Sequence, residues 1–466
     1  MTAFKSIEIP ERQSYALRRA RVPTCLLGGP PAEAPADGDG GLLVDIEIEN
    51  GRIARLAPAN AANPLAGIDL AGRQVWPTLV DLHTHLDKGH IVDRTVNPDG
   101  SFLGARLAAT EDRTRYWRRD DVYRRMSFGL RCAEVHGVSA IRTHIDSYEG
   151  QGDLTWAVVR DIREEWKDRI ALQAVGLVPL DTYREQGGYG DDLADVVAKS
   201  GGIIGGVTRP GAGGHSDHLP DLDALLDRVF RLAAERDLDI DLHVDETGDP
   251  AAATLRNVAE ATLRHGYQGR VTCGHCCSLA VQDADSVART IDLVAEARIT
   301  IVSLPTVNMY LQDRTGGRTP RWRGVTVIHE LRAKGVRVAL AGDNCRDPFY
   351  AYGDHDVLDT FRQGVRIAHL DHPIGDAPAL VTRNPAATMG LDHGVLREKG
   401  PARFIIFNAR TLNEIVSRPH ADRIVVVNGQ RLTRPLPDYG ELDFVVAAKP
   451  FPRTAELAPA PDAAAE

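Results

Sequence analysis

The sequence predicts an α/β fold: a (β/α)8 TIM barrel carrying a small β-sandwich domain formed by the N- and C-terminal segments. Three observations predict it. Between Val75 and about Leu391, eight short apolar runs alternate with longer amphipathic segments, the pattern of βα units around a parallel sheet. Short strand-like segments with Asn-Gly turns stand on both sides of that region. At 466 residues the chain is too long for one small domain and suits a large barrel with a satellite.

In chain order, Met1 to Ile9 reads as a loose start. Tyr15–Ala20, Leu42–Ile48 and Arg52–Leu56 read as strands, the last two joined at Asn50-Gly51. The Pro/Gly/Ala-rich stretch Gly28–Gly41 reads as a mobile surface loop. The eight barrel strands fall at Val75–Leu82, Val138–Thr143, Ile170–Val178, Gly202–Val207, Leu238–Leu242, Arg270–Gly274, Ile299–Leu304 and Val336–Ala341. Helices are expected between them, for example Asp121–His136, Leu222–Arg236 and Ala251–His265. After the barrel, Ala402–Asn408 and Arg423–Val427 are again strand-like, and Asn428-Gly429 follows. Residues 14–74 and 400–435 are therefore expected to form one composite β-domain, with the barrel at 75–399 inserted between its halves. The Pro/Ala-rich tail at 449–466 is expected to be disordered.

Composition excludes several functions. Hydrophobic residues at 43% and charged residues at 26% are those of an ordinary globule. A net charge of -10 argues against nucleic-acid or anionic-membrane partners, which require basic patches. No apolar run approaches the roughly 18 residues that span a bilayer, and no secretion leader is evident. Six cysteines give no disulfide framework, so a reducing cytoplasm is expected. Cys273-x-x-Cys276 has no second Cys pair to complete a zinc ribbon; buried thiols flanking His275 are the better reading.

The chemistry lies where the strands end. Strand one ends in His83-Thr-His85, and alternation puts both imidazoles on one face. Strand two is followed by His144, strand five by His243 and Glu246, strand six by His275 and strand eight by Asp343. Singly, a strand-end histidine is more often a hydrogen-bonded structural residue. A barrel, however, gathers its strand ends around one mouth. Three neutral imidazoles and a carboxylate suit a borderline divalent ion, Zn²⁺ or Fe²⁺, which lowers the pKa of a bound water from about 15.7 toward 7. Glu246 is the natural proton carrier. His275 could orient the hydroxide or polarise the bond under attack, and Asp343 could be both ligand and second base. Strands three and four carry no Lys able to bridge two ions, so one metal is expected. His144 reads equally as a structural residue or a substrate contact. Arg209 or His215, in the glycine-rich run Val207–Ser216, and Lys88 are candidate substrate contacts, each weighed against a plain loop residue. No Gly-Lys-Ser/Thr follows those glycines, so a phosphate cradle is disfavoured.

These stretches resemble the amidohydrolase superfamily, in particular the branch containing bacterial cytosine deaminase and the isopropylammelide amidohydrolase of triazine breakdown. The resemblance runs from about Leu42 to Gln430. It rests on His83-Thr-His-Leu-Asp-Lys88, Arg142-Thr-His-Ile-Asp146, His243-Val-Asp-Glu246, Val271-Thr-Cys-Gly-His275, Val307-Asn-Met-Tyr-Leu-Gln-Asp-Arg314, Arg323-Gly-Val-Thr326, and Ala341-Gly-Asp-Asn344 with Arg346-Asp-Pro-Phe-Tyr350. It implies a barrel with a flanking β-sandwich, His83, His85, His243 and Asp343 as metal ligands, Glu246 as proton shuttle and His275 beside the hydroxide. The triazine relative lacks Glu at the position of Glu246, so the resemblance favours deamination.

Departures from the pattern concern the substrate. Pro179 falls near a Gln that reads the pyrimidine amide edge, and proline cannot supply those hydrogen bonds. Asn344 replaces Asp, and Phe349 replaces the stacking Trp. Asn308, Gln312 and Arg314 match a family motif as substrate or loop contacts. The expected activity is deamination of an amino-substituted nitrogen heterocycle by metal-bound hydroxide. Cytosine is the default, with an aminotriazine, a pterin or a creatinine-like ring as substitutes. The alternatives are hydrolysis of a cyclic amide or N-alkylamino heterocycle, and a catalytically inactive binding protein. A homo-oligomer is expected.

Overall fold

The computed structural model describes residues 4, 7–11, 14–29, 38–59, 67–211 and 217–448. His215 and the 449–466 tail lie outside them, as do most of the loop expected at Gly28–Gly41 and half of the expected loose start.

Three sheets organise the described residues. The first is built from β1 (Ser14–Pro23), β2 (Gly41–Glu49), β3 (Arg52–Pro58) and β4 (Gly67–Asp69), in the order β3-β2-β1-β4. β5 (Val75–Pro77) belongs to another. The barrel follows: β6 (Leu79–Thr84), β7 (Val138–Asp146), β8 (Ala171–Leu177), β9 (Ile203–Val207), β10 (Ile240–Val244), β11 (Val271–His275), β12 (Thr300–Ser303) and β13 (Val338–Leu340). These eight strands are parallel and adjacent in chain order. The third sheet joins β14 (Phe404–Ile406), β15 (Ile424–Val427) and β16 (Gln430–Arg431) to β5.

Both Asn-Gly turns form as expected. Asn50 and Gly51 have φ of 49° and 74°, and Asn428 and Gly429 have 50° and 77°, the paired positive φ that a two-residue hairpin requires. The two turns also meet. A Cβ on Gly51 would lie 2.9 Å from the Asn428 carbonyl oxygen, and Tyr15 donates from its hydroxyl to the Gly429 carbonyl at 2.8 Å. Turn residues from the two ends of the chain thus clasp the flanking sheets together.

One strand boundary differs from expectation. Val75–Leu82 is two strands, not one. β5 pairs antiparallel with β14, whereas β6 enters the barrel. Pro77 has no N–H to continue a ladder, and the chain changes sheet at Thr78. The flanking sheet therefore takes its N-terminal strand from the residues that lead into the barrel.

The barrel closes through the site. A single parallel bridge joins Thr84 to Asp343. The Asp343 amide donates to the His83 carbonyl at 2.7 Å, and the Thr84 hydroxyl donates to the Asp343 carbonyl at 2.7 Å. Helices α1 (Phe102–Tyr116), α2 (Arg119–Val135), α3 (Gly152–Trp166), α4 (Tyr189–Lys199), α5 (Leu222–Glu235), α6 (Thr254–Arg264), α7 (Ala284–Glu296) and α8 (Pro305–Leu311) lie in the crossovers. All six cysteines are buried and free.

Beneath the site, Arg142 on β7 fills the barrel interior. It donates to Asp241 at 2.7 Å, and to Gln173 at 2.9 Å and 3.1 Å. Neither Arg142 nor Asp241 is exposed. Burial pushes the Asp241 carboxyl up to about 7, with Arg142 opposing the shift. Arg142→Ala would leave that carboxylate buried without its partner. It is expected to cost about 3–5 kcal/mol, read as a lower urea midpoint.

Candidate active site

Four donors converge at the carboxyl ends of the strands. His83 lies on β6 and His85 just beyond it; His243 lies on β10, and Asp343 follows β13. The His85 Nε2 is 3.1 Å and the His83 Nε2 3.6 Å from Asp343 Oδ1. The His85 and His243 Nε2 atoms are 3.3 Å apart. The His83 and His243 rings lie 4.5 Å apart between centroids. Gly274 makes room: a Cβ there would stand 2.8 Å from His83 Cε1. Asp343 itself holds φ of 65°, a strained value for a non-glycine residue and one that recurs at functional sites.

Their electrostatics suit a cation. Burial, then the neighbouring cationic groups, holds His83, His85 and His243 well below the ordinary imidazole range, so all three are neutral donors. Burial, then the nearby Glu246, pushes the Asp343 carboxyl well above its ordinary value. Both His83 nitrogens and both Asp343 oxygens are buried without a hydrogen-bond partner. Buried polar atoms are rarely left so. Three neutral imidazoles and one carboxylate this close together fit a divalent ion of the zinc or iron(II) type.

His144 stands behind these donors. Its ring is 3.9 Å from that of His83 and 4.6 Å from that of His243, and it does not line the cleft. One ligand atom each of His83, His144 and His243 lies within 4.8 Å of the others, and both His144 nitrogens are buried without a hydrogen-bond partner, so His144 is a further metal-type donor beside the four.

Glu246 and His275 face the cleft above the donors. Glu246 Oε1 lies 3.6 Å from His275 Nδ1. Asn308 on α8 tethers both: its Nδ2 is 2.9 Å from His275 Nδ1 and 3.4 Å from Glu246 Oε1. A carboxylate only accepts, so the amide nitrogen, not the oxygen, must face the pair. His275 Nδ1 is then an acceptor, and the ring proton sits on Nε2. Gln312 donates to the Glu246 carbonyl at 3.0 Å.

The other wall is aromatic and cationic. Lys88 donates to Asp146 at 2.8 Å, and Arg113 on α1 donates to the other oxygen of Asp146 at 2.8 Å. Burial opposes charge on Asp146, but Lys88 and Arg113 hold its carboxyl below the usual range. The Arg209 guanidinium lies 4.3 Å over the Phe102 ring. Phe349 stands 5.4 Å from Phe102 in an edge arrangement and 5.4 Å from the Lys88 ammonium. Asn344 donates to Asp347 at 2.7 Å and also borders the cleft.

Besides His144, four candidate substrate contacts do not line the cleft: Asn308 and Gln312 hydrogen-bond Glu246 and its neighbour His275 instead, and Pro179 and Arg314 lie elsewhere. Pro179 pairs with Val207 in an isolated bridge, outside the cleft lining. Arg314 stacks on Tyr310, also outside it. Conversely, Phe102, Arg113 and Tyr148 line the cleft without having been singled out. They ride on α1 or follow β7. Asp112 and Arg113 are among the buried residues of α1, so the helix shows no apolar stripe to reveal it.

The model of the amidohydrolase family matches residues 193–433. A pterin deaminase from Rhizobium rhizogenes is 50% identical over 448 residues, covering 96% of this chain and 100% of that one. The N-isopropylammelide isopropyl amidohydrolase of Pseudomonas sp. (strain ADP) is 25% identical, covering 84% of this chain and 93% of that one. Among solved structures, the 5-methylcytosine deaminase of Klebsiella pneumoniae liganded with 5-fluorocytosine superposes with a TM-score of 0.75 at 24% identity. That alignment covers 91% of this chain and 98% of that one.

Proposed function

The chain belongs to the amidohydrolase family, and from that premise we propose that it hydrolytically deaminates an amino-substituted pteridine of the pterin type. The observation that carries this reading is the 50% identity to a pterin deaminase along nearly the whole chain. The site supports it, since the cleft offers a proton carrier, donors for one cation and an aromatic wall for a flat ring.

His83, His85, His243 and Asp343 would hold the ion. When bound, it would lower the pKa of a water from about 15.7 toward 7. Glu246 accepts that water's proton as oxygen adds to the ring carbon bearing the amino group, and delivers it to the ring nitrogen. His275, protonated on Nε2 because Asn308 occupies Nδ1, donates toward the developing oxyanion. The hydroxyl proton then passes by way of Glu246 to the amino nitrogen, the carbon–nitrogen bond breaks, ammonia leaves, and a carbonyl takes its place. Phe102 and Phe349, in edge contact with one another, would form one wall beside the ring, and Lys88 and Arg209 offer cationic donors in the same cleft. Arg209→Ala is expected to raise KM by roughly 10–100-fold, the worth of a charge-assisted hydrogen bond, with little change in kcat. A rate-versus-concentration series checks it.

The test is ammonia release from pterin, cytosine and an aminotriazine by enzyme with its metal content verified. Pterin should lose its amino group and yield the 2,4-dioxo ring. Silence on pterin, or a ring-opened carboxylate without ammonia, would reject the reading. The second result would favour hydrolysis of a cyclic amide.

A further inference from the structure

A second group of metal-type donors lies on the far side of the Asp343 loop. His90 follows the first barrel strand, and Cys345 and His355 follow the last. All three are buried, and one ligand atom from each falls within 4.8 Å of the others. The His90 and His355 Nε2 atoms face each other at 3.2 Å. Two nitrogens bound tetrahedrally to zinc at 2.0–2.1 Å stand about 3.3 Å apart. The His85–His243 pair in the active site has that spacing too, at 3.3 Å. A cavity of about 440 Å³ borders Cys345 and His355, so an ion has a way in and a fourth position to share with water.

We propose that His90, Cys345 and His355 form a second metal site, taking a zinc-type divalent ion through two imidazoles and one thiolate. It serves structure. It would pin the segment after β6 to the loop that presents Asp343, two segments already joined by His90 N–H to the Cys345 carbonyl at 3.1 Å and Val92 N–H to the Arg346 carbonyl at 2.9 Å. Ligation through sulfur would release the thiol proton to solvent as the sulfur binds. Cys and His are ordinary zinc ligand types, and water would complete the tetrahedron at the position the protein leaves open. Its donors differ from the all-nitrogen and oxygen set of the active site, and that difference makes it testable.

The experiment loads the full-length protein with cobalt(II) and records its absorption and metal content. A thiolate-to-cobalt charge-transfer band in the near ultraviolet is expected, together with a second equivalent of metal. Cys345→Ser should lose both the band and one equivalent, while Asp343→Asn keeps the band and loses the other equivalent. His90→Gln serves if the serine variant does not fold, and should weaken the band likewise. A wild-type protein without the band, or a band that survives Cys345→Ser, overturns the proposal. Neither result bears on the active-site reading, which involves no thiolate.

Discussion

Glu246→Gln is expected to lower kcat by about 10²–10⁴-fold, the range contributed by a positioned proton carrier. The amide keeps the shape of the carboxylate and its place beside Asn308 and His275, so folding and substrate affinity should be nearly unchanged. What it removes is a group that can accept the water's proton and deliver it to the ring. It also cannot donate and accept through one oxygen in turn. Metal content should remain that of the wild type, because Glu246 is not among the four converging donors. A variant that retained turnover would move the proton-transfer role to another residue, and one that lost its metal would make Glu246 a ligand. Single-turnover measurement on pterin, with metal content determined on the same sample, separates these outcomes.

Asp343→Asn should abolish activity by a different route. The variant retains the backbone hydrogen bonds that close the barrel, since they use the Asp343 amide and carbonyl rather than its side chain. It loses the one negative charge among three neutral imidazoles. Metal affinity should fall by more than the roughly 10–100-fold typical of losing a mere hydrogen-bond partner of a ligand. The sign of the stability change is also fixed. Burial, with Glu246 nearby, raises the Asp343 carboxyl pKa in the folded chain, so an ionised Asp343 costs stability above the unfolded value when no cation is present. Metal-free Asp343→Asn is therefore expected to unfold at or above the temperature of metal-free wild type at neutral pH. In the presence of metal the order should reverse. A metal-free variant less stable than its parent would contradict the electrostatic account of this carboxylate.

The parts of the fold that could be read from sequence share a physical cause. Parallel strands buried on both faces are short continuous apolar runs, and all eight stand out as such. The Asn-Gly turns were legible because few other dipeptides accept positive φ twice. The break at Thr78 was hidden, since an apolar run looks alike whether it serves one sheet or two, and only Pro77 marks the change. Helix α1 was hidden for the opposite reason. Its inward face carries Asp112 and Arg113, so polarity disguises burial. At the site, His83, His85, His243 and Asp343 could be collected because metal donors come from few residue types at strand ends. The cleft wall could not. Lys88, Asp146 and Arg113 form a charge cluster joining the segment after β6, the end of β7 and α1, and nothing in the local sequence of any one announces the other two.

The central claim is that one divalent ion sits among His83, His85, His243 and Asp343. Crystals of the wild-type enzyme, measured on both sides of the zinc and iron absorption edges, test it directly. An anomalous peak is expected within bonding distance of those four side chains. A metal-supplemented crystal with no peak there, or with those side chains satisfied by hydrogen bonds among themselves, would contradict it.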